Sequence, residues 1–98
     1  MRFEFHPHAL AEYEEAALYY AGVQPGLEAR FMFAIEQSID LIVDAPESWP
    51  VVEGPVRRCL TRIFPYVVLY TIEPEYVLLV AVMHSHREPG YWHGRVPT

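Results

Sequence analysis

The chain has no lysine: all seven of its basic residues are arginines, set against thirteen acids. A lysine-rich cationic surface, the usual basis of nonspecific nucleic-acid binding, is thereby excluded, and the formal net charge of -6 argues the same way. Cysteine is almost missing too. A lone Cys59 excludes an intrachain disulfide, and Met1-Arg2-Phe3-Glu4-Phe5 lacks the apolar run of a signal peptide, so a reducing cytoplasm is the expected location. Long hydrophobic runs are also absent. The longest, Tyr76 to Met83, has the length of a strand and falls far short of the roughly 20 apolar residues that cross a bilayer, so no membrane association is expected.

What is present is unevenly distributed. Residues 1–55 carry ten acids against Arg2 and Arg30, whereas residues 56–98 carry five arginines against Glu73, Glu75 and Glu88. The second half can therefore form a local basic site in an acidic protein, and guanidinium groups suit bidentate contact with carboxylates or phosphates. It also carries His84-Ser85-His86-Arg87-Glu88-Pro89-Gly90-Tyr91-Trp92. Ninety-eight residues suffice for one domain, residues 1–98, that buries about two-thirds of its unfolded surface.

The alternation of Phe3 and Phe5 with polar neighbours predicts a short half-buried strand over 2–6. Pro7 suits the first position of a helix, with His6 as its cap. Leu10, Tyr13, Ala17, Tyr20 and Ala21 recur at helical spacing, which would leave Glu12, Glu14 and Glu15 pointing outward. Gly22 and Gln24-Pro25-Gly26 break that helix. Leu27, Phe31, Ala34, Ile35, Ile39 and Ile42 then mark a second helix, expected to form an antiparallel hairpin with the first. The Glu36, Asp40 and Asp44 ladder reads as its solvated outer face.

Pro46 to Pro50 with Gly54-Pro55 reads as a turn-rich connector. Three strands are expected after it, over 56–64, 66–72 and 76–83, the last two joined by a tight turn at Glu73-Pro74-Glu75. The expected fold is α+β in the order β-α-α-β-β-β, an antiparallel sheet with a helical hairpin on one face. Two helices cover only one face of such a sheet. The other is then expected to be occupied by another macromolecule, or by the chain's own connector and tail through Trp49, Tyr91 and Trp92.

Several short motifs lie on this order of elements. Pro7 opens the first helix, Glu14-Glu15-Ala16 and Tyr19-Tyr20 follow, and Gly26-Leu27 with Arg30-Phe31 open the second, which carries Ile35-Glu36. Further on stand Pro46, Trp49-Pro50, Arg57-Arg58, Leu60, Arg62, Phe64-Pro65-Tyr66, Tyr70, Ala81-Val82, His84, Arg87 and Tyr91-Trp92. Together these residues closely resemble the RelE/ParE superfamily of bacterial type II toxin-antitoxin toxins, often called plasmid stabilisation proteins, nearly from end to end. The resemblance implies a toxin that inhibits growth when free, a cognate antitoxin, and no cofactor. It also implies one of two targets: ParE-like members poison DNA gyrase, while RelE-like members cleave messenger RNA on the ribosome.

RNA cleavage without a metal needs a base for the 2'-hydroxyl, a cation at the phosphate and an acid for the leaving oxygen. On the nuclease alternative Arg62 and Arg87 would hold the phosphate, His84 or His86 would be the base, and Tyr91 would assist. That requires a bend near Ser85, because in an extended strand Arg87 would point away from His84. The acidic charge and the His84-x-x-Arg87 ending lean toward the ParE-like reading. Arg57, Arg58, Tyr66, Tyr70, His86 and Trp92 are then the expected contacts with target or antitoxin, in a homodimer or a hetero-oligomer. A non-toxic interaction module is the further alternative. His6-x-His8 and His84-x-His86 have metal-ligand spacing, but Pro7 removes His8 from the strand and no third ligand is evident, so no metal is expected.

Overall fold

Phe3 and Phe5 lie on β1, Arg2–Phe5, in the computed structural model of the chain, which describes residues 1–97. Helix α1, Pro7–Val23, follows at once, with the His6 side chain accepting a hydrogen bond from the His8 amide at 3.1 Å. Helix α2, Leu27–Asp44, starts from Gly26, whose φ of 85° lies in the left-handed region that glycine enters without steric cost. Both helices lie where their periodicity places them. The buried stripe of α1 is rotated from the expected one, however: Ala9, Tyr13, Ala16 and Ala17 face inward, while Leu10 and Ala21 are exposed. Alanines on this stripe let α1 sit close to the sheet.

The sheet has five strands in the order β1-β5-β4-β3-β2. Strands β3 (Val56–Leu60), β4 (Tyr66–Ile72) and β5 (Tyr76–His84) form the expected antiparallel meander. Two details differ from expectation. Val51–Glu53 adds a short antiparallel strand, β2, at one edge, and β1 joins the other edge parallel to β5, so the sheet is mixed. β3 also ends at Leu60, which leaves Arg62 in the loop before β4 rather than on the strand. No helix of the described residues is long and apolar enough to cross a membrane.

One face of the sheet packs against the helices through Phe31, Ile35, Ile42, Val68, Tyr70 and Leu79. The opposite face is not open. Trp92, 4 % exposed, closes over Val56, Leu69 and Val80, with Tyr91 and Val96 at its sides. The expectation of a face kept free for another macromolecule is thus corrected, in favour of the chain's own tail. The physical reason is proximity: the tail reaches this face a few residues after β5 and removes its apolar side chains from water at small cost in loop closure. Trp49 takes no part in this, since it lies against the helix-side core and its indole N–H donates to the Leu41 carbonyl at 3.4 Å.

Candidate functional site

The expected site residues divide between interior and surface. Tyr70 is 0 % exposed and donates its hydroxyl hydrogen to the Pro46 carbonyl, and Trp92 is buried in the second core. Neither presents a side chain to a partner in this fold. Tyr66 is half-buried, in an aromatic cluster with Tyr20 and Phe31. Arg57 turns toward the connector, where its Nη1 donates to the carbonyls of Trp49 at 2.7 Å and Glu47 at 3.0 Å. That guanidinium holds the connector in place. Arg58, Arg62, His84, His86 and Arg87 are exposed.

The bend at Ser85 is present. Strand β5 stops at His84, the Arg87 amide donates to the His84 carbonyl at 3.0 Å, and the Ser85 amide donates to the Pro65 carbonyl at 2.8 Å. The turn brings His84 and Arg87 to one cleft of about 230 Å³, whose walls include Tyr19 and Tyr66 and whose rim includes Glu12 and Glu15. The His84 and Tyr66 rings meet edge to face, with centroids 5.4 Å apart. Arg62 is not part of this cleft. It lines two separate hollows beside α2 that share no residue with it.

Tyr91 stands behind Arg87, whose guanidinium carbon lies 3.9 Å from the phenol ring centroid. Its hydroxyl donates to Glu12 Oε2 at 2.6 Å, and burial together with that bond pushes the phenol well above its usual range. A proton held so firmly is poorly placed for delivery to a leaving oxygen near neutral pH.

Glu12 is the residue that sequence reasoning missed. It was expected to point into solvent, yet its side chain is only 15 % exposed. Its carboxylate takes Arg95 Nη1 at 2.9 Å and Nη2 at 3.2 Å, the Tyr91 hydroxyl, and the Val82 amide at 3.1 Å. Arg95 Nη1 also donates to the Val80 carbonyl, at the irregularity where β5 slips in register against β4. One carboxylate thereby ties α1, β5 and the tail together. The signal for it is spacing: Glu12 stands three residues after the buried Ala9 and four before the buried Ala16, at the margin of the inward stripe.

Elsewhere, burial raises the thiol pKa of Cys59, which packs in the helix-side core. Among the described residues no group of three or more His, Cys, Asp or Glu side chains comes together to hold a metal ion.

Comparisons with known proteins bear on the fold and the family. A solved structure titled as the chromosomal ParDE toxin-antitoxin system from P. aeruginosa superposes with a TM-score of 0.73 at 12% sequence identity, covering 86% of this chain and 95% of that chain. It establishes likeness of fold. Curated proteins include no match to this sequence. Residues 3–89 match the family described as ParE toxin of type II toxin-antitoxin system, parDE, a span that takes in both helices, the five strands except for Arg2, and the His84–Arg87 turn. The chain belongs to the ParE toxin family.

Proposed function

We propose that this chain is the toxin of a type II toxin-antitoxin pair, held harmless by its antitoxin and, when free, an inhibitor of DNA gyrase rather than a nuclease. The observation that carries the choice of target is the separation of the would-be catalytic groups. Arg62 lines hollows apart from His84 and Arg87, and the Tyr91 hydroxyl is committed to Glu12. A phosphate bound at the His84 cleft would have Arg87 as its guanidinium, and Arg87 already faces Tyr91, Glu88 and Glu12. The acidic surface gives ribosomal RNA little attraction.

One observation favours the nuclease reading: His84, Arg87 and the Tyr66 ring share a single cleft. The experiment separates the two. Inducing the chain alone in a bacterium should arrest growth, co-induction of the neighbouring reading frame should relieve it, and the purified protein should block supercoiling by gyrase while transcripts stay intact. Growth without arrest defeats the toxin reading. Cleaved transcripts with normal supercoiling would replace gyrase by messenger RNA, and His84→Ala should then abolish cleavage.

A further inference from the structure

Two His-x-His pairs stand outside the function described so far, and they share one geometry. In each, Nδ1 of the first imidazole accepts the backbone N–H of the second histidine: His6 from the His8 amide and His84 from the His86 amide, both at 3.1 Å. The paired rings also touch, with centroids 5.2 and 5.3 Å apart. A ring nitrogen that accepts a hydrogen bond carries no proton, so a neutral imidazole held in this way keeps its hydrogen on Nε2. At His6 the result is the cap of α1, where burial and the neighbouring His8 imidazole lower the pKa and favour the neutral form that the cap needs. A spacing that suits metal ligands in the sequence is a backbone cap in the fold.

His84 makes the same bond with no helix to cap. It ends β5, pairs with Tyr66 across the sheet, and stands exposed at the cleft it shares with Arg87. The edge-to-face contact with Tyr66 and the contact with the His86 ring restrict the orientation of the imidazole, and the His86 amide decides between its two nitrogens. That accepted bond is the ring's own hydrogen bond among the described residues, which leaves the Nε2 hydrogen for something outside the chain. The Arg87 guanidinium beside it is loosely engaged. Its Nε reaches the exposed Glu88 at 3.3 Å, and its Nη1 lies 3.9 Å from Glu12, beyond hydrogen-bond range.

We propose that His84 is a fixed hydrogen-bond donor and not a base, and that its Nε2–H forms with Arg87 a two-donor site for one carboxylate of a protein partner. The inference rests on the toxin reading in one respect: it assigns that carboxylate to the enzyme that the free toxin inhibits. A base at Nε2 would need its lone pair there, and freeing it moves the hydrogen onto Nδ1, where the His86 N–H already points. A carboxylate accepts one bond from each of the two donors. Nucleic acid is the poorer occupant, since it brings a row of phosphates against a net charge of -6 and against Glu15 on the cleft's own rim. A protein brings a single charged side chain to a cleft of about 230 Å³.

The test uses the intact chain. Nitrogen NMR of its labelled histidines at about pH 8, above the ordinary histidine range, should show His84 as a single Nε2–H tautomer, as His6 should be. A mixture of tautomers at His84, or its Nδ1–H form, overturns the proposal. Two substitutions then separate the ring's two edges. His84→Asn keeps an oxygen near the Nδ1 position to accept the His86 amide and removes the donor, whereas His84→Gln puts an N–H near the Nε2 position. His84→Asn should leave the thermal midpoint in place and raise the concentration that halves gyrase supercoiling about tenfold or more. His84→Gln should stay within about threefold of wild type. Equal potency of both variants with wild type makes the ring dispensable, and equal failure of both demands the imidazole itself, as a base would; either result overturns the donor role. The two readings fail separately: a wild-type chain that neither arrests growth nor inhibits supercoiling defeats the toxin reading, with the tautomer still read from the spectrum. A wild-type chain that does both, with His84→Asn equally potent, defeats only the donor site.

Discussion

Arg95 and Glu12 form a two-pronged ion pair across 83 residues of sequence, with contacts of 2.9 and 3.2 Å, both side chains largely withdrawn from water. The pair fastens the C-terminal segment to the first helix. It explains how a tail of polar and aromatic residues holds one position over the sheet.

Removing one partner from this pair leaves the other charge buried and unmatched. Glu12→Gln should therefore destabilise the protein by about 3 kcal/mol, in the range expected for a broken buried pair. Denaturant unfolding measures it. A double-mutant cycle with Arg95→Gln should return a coupling of about 1 kcal/mol or more, and additive losses would mean that the two groups act independently.

Trp92 is predicted to act as a core residue. Trp92→Ala should cost about 3–5 kcal/mol, as large aromatic truncations in packed interiors do. Amide exchange in β4 and β5 should accelerate along with it, since the tail is the cover of that face. A loss under about 1 kcal/mol, the scale of surface substitutions, would show that the indole is dispensable to the fold.

Stability should fall in alkali through the buried tyrosines. Burial raises the phenol pKa of Tyr70 to about 12 and lifts Tyr13 and Tyr91 further, with Glu36 and Glu12 adding to the latter two. Each folded pKa lies above its unfolded value of about 10, so the stabilisation is intact below pH 10 and is lost as pH rises toward the folded values. The three together should remove about 4 kcal/mol per pH unit in that window, at about 1.4 kcal/mol each. Unfolding followed at several pH values, with the tyrosinate absorbance band as second readout, checks this; stability flat from pH 10 to 11.5 would contradict it.

Cys59 should resist alkylation in the native protein and react only on unfolding, because its thiol is buried in the helix-side core with a raised pKa. Rapid native-state labelling by a maleimide at pH 7 would contradict that placement.

Much of the fold was legible because it is written locally. The helical repeat of Phe31, Ile35, Ile39 and Ile42, the proline at the head of α1 and the Glu73-Pro74-Glu75 turn each act over a few residues, and all are found in place. Long-range choices were not legible. Strand β2 was hidden because Val51 and Val52 sit among prolines and a glycine that read as connector. The parallel partnership of β1 with β5 joins Arg2 to Tyr76 and leaves no mark on either segment. For the site, the sequence made a shared position of His84 and Arg87 conditional on a bend near Ser85, and the structure has that bend. It left Arg62 on a strand and Trp92 undecided between a partner contact and a cover for the sheet, since a strand's end and an indole's direction depend on neighbours that lie far away in the chain.

The parallel seam between β1 and β5 also governs when the molecule can finish folding. β1 is separated from its mate β5 by the helical hairpin and the strands β2 to β4, with Arg2 paired to Tyr76, and the segment after β5 supplies both the Trp92 cover and the Arg95 fastening. Non-local pairing of this sort slows folding, and here it defers completion until β5 and the segment after it are in place. The helical hairpin, built from local contacts, can thus assemble ahead of the sheet edge and the tail that complete the molecule.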